Sequence, residues 1–252
     1  MTDLPEVGTR VSLRYRLPAG ETPPHSDVVG HLVDTGTTVR VRTRRGDIVE
    51  VEPADVLAVR VVPEMPVRTG DIRNLEHAAA LAWPGTEHAW LGEWLARFGH
   101  GSTRRANSAV PLRFTSYAEI AEVADWYSSR GVSALISAPD RLLRIPPGVP
   151  TDAENLVMAT DMDGAVPPPA DLRVSSRPDE RWLQLYQREV PVEVLTAVVD
   201  GEVAFAALDD AAVGRGAVTE APDGTRWAGI SAVHVSEHAR RRGLARALCT
   251  GL

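Results

Sequence analysis

Residues 227–252, WAGISAVHVSEHARRRGLARALCTGL, decide how the second half of this chain folds. The apolar run 230–235 has the length and composition of a strand. A short polar segment separates it from the run RRRGLA at 240–245, which opens a series of good helix formers. The pattern therefore predicts a strand, a tight loop and the N-terminus of a helix in direct succession.

Three consecutive arginines, 240–242, are unusual at the start of a helix. Unpaired N–H groups and the helix dipole make a helix N-terminus partly positive, so cations are disfavoured there. A bound phosphate or diphosphate reverses this preference, because backbone N–H groups and guanidinium groups both favour it. Gly243 lacks a Cβ atom and would let the backbone approach such a ligand closely. We therefore predict an anion-binding site, with a solvated arginine-rich surface as the alternative.

The segment 233–248, VHVSEHARRRGLARAL, resembles the acyl-CoA-binding motif [RQ]-x-x-G-x-[GA] of the GNAT superfamily of N-acetyltransferases. Arg240, Gly243 and Ala245 take its three defined positions. The variable positions are filled by Arg241, Arg242 and Leu244. The resemblance implies that the backbone amides of this segment hold the pyrophosphate of acetyl-CoA, which would be the co-substrate.

The same resemblance implies a role for the preceding strand, where Val233 and Val235 would offer backbone groups to the pantetheine arm. Glu237 stands where the family often has proline, a position that shapes the turn. The resemblance covers residues 171–252 well and the rest loosely. A GNAT domain continues beyond the helix that contains Leu252, with further strands and a tyrosine that protonates the leaving thiolate. We therefore expect a GNAT-like region that is truncated at its C-terminus.

The first 62 residues indicate a different kind of fold. Five short strands are predicted, at 7–17, 28–33, 38–43, 48–51 and 56–62, with turn residues between them. This spacing predicts a small barrel that resembles SH3-like folds. Together with proline-rich segments near residues 64 and 168, it predicts three parts: an SH3-like barrel (1–64), a GNAT-like N-terminal region (65–168) and the acyl-CoA-binding segment (169–252). The fold class is α+β.

Arginines 40, 42, 44 and 45 would share one face of the small barrel, which raises the question of nucleic-acid binding. However, residues 1–62 contain eight arginines and nine acidic residues, so no basic domain supports that face. A charged edge strand explains the pattern, because charges on an edge prevent unwanted strand pairing. We expect no nucleic-acid ligand, while a protein partner could bind through the SH3-like module.

Between the two ends, the pattern predicts mixed helices and strands. Helices are expected at about 72–82, 117–130 and 178–187, and a hairpin between 90–98 and 104–112. Additional strands are predicted at 132–137, 156–160, 194–199, 203–208, 213–219 and 227–235. Asp200-Gly201 and Asp223-Gly224 mark hairpin turns. The last four strands therefore form an antiparallel meander that leads into the arginine-glycine turn.

The composition limits the function classes. The net charge is −7, with no lysine, and Cys249 is the single cysteine, so a disulfide framework and a thiolate metal cluster are excluded. The histidines lack metal-ligand spacing, and no metal is expected. No apolar run is long enough to cross a bilayer, and the N-terminus lacks the apolar region of a signal peptide. We therefore expect a cytoplasmic protein without a membrane partner.

These observations favour an acyl-CoA-dependent N-acetyltransferase that transfers an acetyl group from acetyl-CoA to an unidentified amine. The strand before the turn offers two polar side chains, Ser231 and His234. His234 is the candidate catalytic base, although a strand histidine with an ordinary hydrogen bond explains it as well. The alternative function is a non-catalytic CoA-binding or regulatory protein with a degenerate acyltransferase domain.

Overall fold

The fold is described from a computed structural model of the 252-residue chain. The structure describes residues 3–64, 67–113, 115, 120–160, 162 and 167–252. The chain divides into two compact units, Met1–Pro66 and Val67–Leu252. The three-part division at residues 64 and 168 stays a prediction.

The first unit is a five-stranded antiparallel sheet. Its strands are β1 (Arg10–Arg16), β2 (His25–Thr35), β3 (Val39–Thr43), β4 (Ile48–Val51) and β5 (Val56–Val61). Apolar side chains alternate with polar ones along the strands, so one face of the sheet is buried. The core consists of Val11, Leu13, Val28, Leu32, Val39, Val41, Val51 and Val56. The five predicted strands are thus present within a few residues of their expected bounds.

The prediction of a closed barrel is wrong for the described residues. The strand order is β4-β3-β2-β1-β5, so β4 and β5 are the two edges and do not pair with each other. The chain passes from β4 to β5 through a one-turn 3-10 helix, Pro53–Asp55, instead of a hairpin. Proline and a helical turn at this point carry the chain from one edge of the sheet to the other.

The sequence predicted that the arginines of β3 lie on an edge strand. This prediction is wrong, because β3 pairs with β2 on one side and with β4 on the other. Arg40 and Arg42 alternate with the buried Val39 and Val41 and are exposed on the opposite face of the strand. Arg40 forms an ion pair with Glu50 of β4 at 2.9 Å. Exposed cross-strand pairs of this kind stabilise a sheet only slightly.

The second unit begins with helix α1 (Thr69–Leu81) and a three-stranded sheet of β6 (Glu87–Leu91), β7 (Trp94–Phe98) and β8 (Val110–Pro111). The predicted hairpin between 90–98 and 104–112 is only partly confirmed, because β7 pairs with the two-residue β8. The segment predicted as its first strand is interrupted after Leu91 and forms part of a separate hairpin, β6–β7. The rest of 104–112 contains a 3-10 turn (Arg105–Asn107). Asn107 explains this, since its Oδ1 accepts hydrogen bonds from the N–H groups of Gly99 and Gly101, at 2.8 and 2.9 Å.

The segment that follows contains less regular structure than predicted. Helix α2 (Ile120–Ser128) packs Val123 and Tyr127 against β7, and residues 117–119 of the predicted helix lie outside the described residues. The strand expected at 132–137 is reduced to one bridge, between Ala109 and Ile136. The strand expected at 156–160 is absent from the described residues, and Leu156 is 87% exposed. Without a neighbouring strand or a core, β-propensity does not produce a strand.

The C-terminal part is a four-stranded sheet with helices. Its elements are β9 (Arg173–Ser175), α3 (Glu180–Tyr186), α4 (Val192–Thr196), β10 (Glu202–Leu208), β11 (Ala212–Glu220), β12 (Arg226–Val235) and α5 (Leu244–Gly251), and the strand order is β12-β11-β10-β9. The predicted antiparallel meander is therefore confirmed for β10, β11 and β12.

The strand predicted at 194–199 is wrong, because Val192–Thr196 forms helix α4. Pro191 precedes the helix, and the adjacent Val194 and Leu195 are fully buried. The free carbonyl groups at the end of this short helix accept hydrogen bonds from Arg215. Tertiary contacts thus override the β-propensity of the valines.

Candidate functional site

Strand β12 forms one edge of the C-terminal sheet. It pairs with β11 on one side, and on the other side it has no strand partner among the described residues. Ile230 and Val233 are 42% and 40% exposed, although they lie in the most apolar part of the strand. An exposed apolar edge of this kind offers both hydrophobic contact and free backbone groups to a ligand or another chain segment.

A β-bulge interrupts β12 before its end. The pairing register shifts between Val213 and Arg215 of β11, whose partners on β12 are His234 and Ser231. Ala232 lies within the bulge and has φ 52°, a left-handed conformation that is uncommon for alanine. Bulges bend a strand and redirect its side chains. As a result, Ser231 and His234 lie on the same face of the sheet although they are three residues apart.

The turn after β12 is short and well anchored. The N–H group of Ser236 donates a hydrogen bond to Ala211 O at 2.8 Å, which fixes the end of the strand to the neighbouring loop. A single 3-10 turn, Glu237–Ala239, follows. The Nε atom of Arg240 donates to Val235 O at 3.2 Å, and Gly243 has φ 79°. The left-handed conformation of Gly243 lets the chain enter α5 directly from this turn.

The start of α5 presents unpaired amide groups. The first helical hydrogen bond runs from Ala247 N–H to Gly243 O at 3.0 Å. The N–H groups of residues 243–246 make no hydrogen bond to any residue that the structure describes. A Cβ atom built on Gly243 would meet no other atom within 4 Å, so the approach to these groups is open. They can therefore donate together to an anion.

Four arginines surround this helix start: Arg240, Arg241, Arg242 and Arg246. All four are exposed, and within the described parts of the chain none forms an ion pair with a carboxylate. Among the described residues, a hydrogen-bond partner is present only for the guanidinium group of Arg240, which donates to the end of its own strand. The region is therefore positively charged, although the whole chain carries a net charge of −7.

The structure brings the predicted site residues together, but they are not equivalent. Val233 is exposed on the edge strand, whereas Val235 and Leu244 are half-buried and pack with Leu248 in the core under α5. Ala245 is exposed at the start of the helix. Hence the side chains of Val235 and Leu244 contribute to the core under α5.

The two polar candidates on β12 differ in their surroundings. Ser231 Oγ accepts a hydrogen bond from Trp83 Nε1 at 3.1 Å and lies 3.4 Å from Arg215 O, so its hydroxyl group is engaged. His234 is half-buried, and no hydrogen bond joins its ring to another described residue. Of the two polar candidates, only Ser231 is therefore held by hydrogen bonds to described residues.

Sequence reasoning missed Trp83 and Arg215, which belong to the surroundings of Ser231. Arg215 is fully buried and lies in a strand between Gly214 and Gly216. The pattern Gly-Arg-Gly inside an apolar strand was the signal that could have identified Arg215. Arginine is almost never fully buried unless it has partners, so an arginine in such a strand indicates a buried polar contact. Trp83 gave no comparable signal in the sequence.

Other kinds of site find less support. In the described part of the chain, no group of three or more His, Cys, Asp or Glu residues could hold a metal ion. Cys249 is half-buried, and burial raises the pKa of its thiol above the ordinary value, which disfavours the reactive thiolate. No helix among the described residues is long and apolar enough to cross a bilayer.

These observations define the class as a mixed α/β protein with an N-terminal β-rich unit. The chain belongs to the family of the probable histone acetyltransferase Rv0428c. Residues 69–252 match the family model described as "Probable histone acetyltransferase Rv0428c C-terminal", and residues 5–60 match "Rv0428c N-terminal Sm-like domain". The N-terminal sheet is therefore described as Sm-like, and the SH3-like resemblance stays a prediction.

A relative with this name supports the assignment. The "Probable histone acetyltransferase Rv0428c" of Mycobacterium tuberculosis (strain ATCC 25618 / H37Rv) is 46% identical over 246 residues. The match covers 97% of this chain and 81% of that protein. The name of this relative supports acetyltransferase activity in general terms.

Proposed function

We propose that this chain is a GNAT-type N-acetyltransferase that uses acetyl-CoA and transfers the acetyl group to an amine. One observation carries the proposal: a bulged edge strand leads through a short turn into a helix start whose four amide groups and arginines have no hydrogen-bonded or carboxylate partner, respectively, among the described residues. This combination suits a diphosphate linked to an extended arm. The family assignment supports an acetyltransferase on independent grounds.

The pyrophosphate of acetyl-CoA would lie at the start of α5. The N–H groups of residues 243–246 would donate to its oxygens, and Arg241 and Arg242 would contribute charge-assisted hydrogen bonds. Arg240, which is bonded to Val235 O, would keep the turn in shape as well as add positive charge. The open space around Gly243 fits this arrangement, because a larger residue would project into the ligand's position.

The pantetheine arm would run along the free edge of β12. Its amide groups would pair with backbone groups of Val233 and Val235, and its methylene groups would cover the exposed side chain of Val233. The bulge at Ala232 then lies where the thioester is expected, between the end of the arm and the face that carries His234.

The chemistry requires a base and a donor to the carbonyl oxygen. In the transfer, the amine nitrogen bonds to the acetyl carbonyl carbon, the C–S bond breaks, the amine loses a proton and CoA leaves as the free thiol. His234 is the candidate base for the amine proton, since its ring has no other partner among the described residues. Free N–H groups at the bulged edge are candidates for stabilising the developing negative charge on the oxygen.

The acceptor amine is not identified by the site. The name of the relative makes a basic protein such as a histone the first acceptor to test. A net charge of −7 would favour the approach of a lysine-rich protein.

Calorimetry with CoA tests the binding half of the proposal. We expect the wild-type chain to bind and Gly243→Glu to lose binding, because a carboxylate would enter the phosphate position. The matched control is Gly224→Glu, since Gly224 has φ 82° and is equally open but lies in the turn between β11 and β12. Equal heats for the wild type and Gly243→Glu would remove the case for this site.

Mass spectrometry of a lysine-rich protein incubated with acetyl-CoA tests the catalytic half. We expect lysine acetylation with the wild type and its loss with Gly243→Glu. If CoA binds and no amine is acetylated, the result favours the non-catalytic CoA-binding alternative and refutes the enzyme.

A further inference from the structure

Trp83, Arg215 and Ser231 form a buried cluster, here named the indole clamp, on the face of the sheet opposite α5. Trp83 follows the last turn of α1, and its Nε1 atom donates a hydrogen bond to Ser231 Oγ at 3.1 Å. The guanidinium carbon of Arg215 lies 4.4 Å from the centroid of the same indole ring. Residues 148 positions apart are thus joined directly.

Arg215 holds the clamp in place. Its Nε atom donates to Leu195 O at 2.6 Å, and its Nη2 atom donates to Ala82 O and Ala197 O, both at 2.9 Å. The side chain is fully buried, and no described carboxylate forms an ion pair with it. A buried cation without an ion-pair partner is costly, so it is tolerated only where such carbonyl contacts compensate. The arginine therefore fixes the end of α1 and the end of α4 against β11.

The clamp ends one residue before the bulge. Ser231 is directly followed by Ala232, whose φ of 52° is unfavourable for a residue with a side chain. Such a conformation persists only when the surroundings determine it. If the strand slipped by one residue, Ile230 or Ala232 would replace Ser231, and the indole N–H group of Trp83 would lose its acceptor.

We infer that Trp83 is a positioning residue: through Ser231 it fixes the register of the bulge in β12 and so determines where His234 and the free edge lie. Its consequence for catalysis rests on the proposed function, because it assumes that the acetyl group is transferred beside the bulge. The N-terminal part of the second unit would then contribute to the transfer site through a hydrogen bond, without touching either substrate.

Hydrogen exchange, followed in the peptide that covers residues 228–236, tests the clamp itself. Trp83→Phe removes the N–H group and keeps an aromatic ring, and Ser231→Ala removes the acceptor. We expect each to accelerate exchange in this peptide by roughly tenfold, and the double variant to add little more, because one interaction is lost in every case. Ser231→Thr keeps the hydroxyl group and should preserve protection.

Trp94→Phe is the matched control. Trp94 is as buried as Trp83, but its Nε1 atom makes no hydrogen bond to a described residue. The same substitution there removes ring volume without removing a bond, so exchange in 228–236 should stay unchanged. The inference is overturned if Trp83→Phe leaves this peptide protected, or if Trp94→Phe exposes it equally.

Kinetics with acetyl-CoA separate this inference from the proposed function. We expect Trp83→Phe to lower kcat by roughly ten- to a hundredfold, the range for a displaced catalytic group, with the KM for acetyl-CoA unchanged because the helix start is intact. An unchanged kcat would refute the catalytic consequence. An inactive wild type would refute the proposed function instead, and the exchange result would still decide whether the clamp sets the register.

Discussion

Gly214 of β11 lies so close to Leu248 of α5 that a Cβ atom on the glycine would be 2.7 Å from Leu248 Cδ2. Gly216, two residues along the same face, would bring a Cβ atom to 3.2 Å from Leu252 Cδ2. Because the two glycines have no side chains, they leave a groove in the sheet surface that holds Leu248 and Leu252. The position of the helix start, and with it the candidate anion site, therefore depends on side chains that are absent from β11.

Gly214→Val should displace α5 and destabilise the protein. The added isopropyl group would overlap the fully buried Leu248, and overpacking of this kind costs about 1–3 kcal/mol. Gly229→Val is the control, because a Cβ atom on Gly229 would meet only Ala217 O, at 3.8 Å, and valine favours strands. Urea unfolding compares the two. Equal stability of both variants would show that the groove does not seat the helix.

Arg215→Met should destabilise the protein strongly, because the carbonyl groups of Ala82, Leu195 and Ala197 lose their donor in a buried position. We expect the free energy of unfolding to fall by about 2–4 kcal/mol. This is less than the sum of the three hydrogen bonds, because the substitution also removes a buried charge that is costly to keep. Burial lowers the pKa of Arg215 to about 10, so the group is charged at neutral pH.

Arg181→Met provides the comparison for Arg215→Met. Arg181 is exposed, and the contact of its Nε atom with Asp210 is 3.9 Å long. Its loss should change the free energy of unfolding by less than about 0.5 kcal/mol. If chemical denaturation gives similar values for both variants, the buried arginine is not a structural tie.

The sequence predicted the local parts of this fold better than the long-range ones. The order of β10, β11 and β12 follows from alternating apolar residues and Asp-Gly turns, which are local signals. Helix α4 was missed because its valines favour strands, whereas its burial and the contacts of Leu195 and Ala197 with Arg215 are long-range. The closed barrel failed for a similar reason, since closure needs a long-range pairing between the edge strands β4 and β5, which no local signal specifies.

In the candidate site, too, the local features were predicted from the sequence and the features that depend on distant residues were not. The strand, the turn and the helix start were predicted from consecutive residues. The left-handed conformation of Gly243 was not among those predictions. The bulge at Ala232 could not be predicted, because nothing in the run 230–235 marks an extra residue. It depends on partners from β11 and, as we infer, on Trp83.

Acidification should weaken the fold partly through His77 of α1. Its ring stacks on Trp90 with centroids 5.7 Å apart, and its Nδ1 atom is buried without a hydrogen-bond partner among the described residues. Burial lowers the pKa of His77 below the ordinary value of 6.5, and the nearby Arg113 adds to this effect. The neutral ring is thus favoured in the folded protein.

The sign of the pH effect follows from that direction. Because the folded pKa is depressed, the contribution of His77 is fully present above about pH 6.5 and is lost as the pH falls through the lower folded pKa. We expect His77→Phe, which keeps the stack, to lose less stability than the wild type between about pH 7.5 and about pH 5.5. His88→Phe, at an exposed position on β6, should follow the wild type. Parallel pH profiles for all three proteins, measured by urea unfolding, would contradict this role.

Charge reversal at Arg242 should weaken CoA binding in a salt-dependent manner. Arg242 is exposed, has no described carboxylate partner and directly precedes Gly243, so its guanidinium group can reach an anion at the start of α5. Loss of a charge-assisted hydrogen bond, worth about 1.5–3 kcal/mol, would raise the Kd for CoA by roughly ten- to a hundredfold in Arg242→Glu. Arg226→Glu carries the same change in net charge at the opposite end of β12 and should bind like the wild type.

Calorimetry from about 50 mM to about 500 mM salt extends the comparison, because screening weakens exposed charge interactions. With rising salt, the wild type and Arg226→Glu should lose affinity for CoA in parallel, while the affinity of Arg242→Glu should fall less. If Arg226→Glu weakens binding as much as Arg242→Glu, only the overall charge matters, and the arginines at the helix start do not form a specific site.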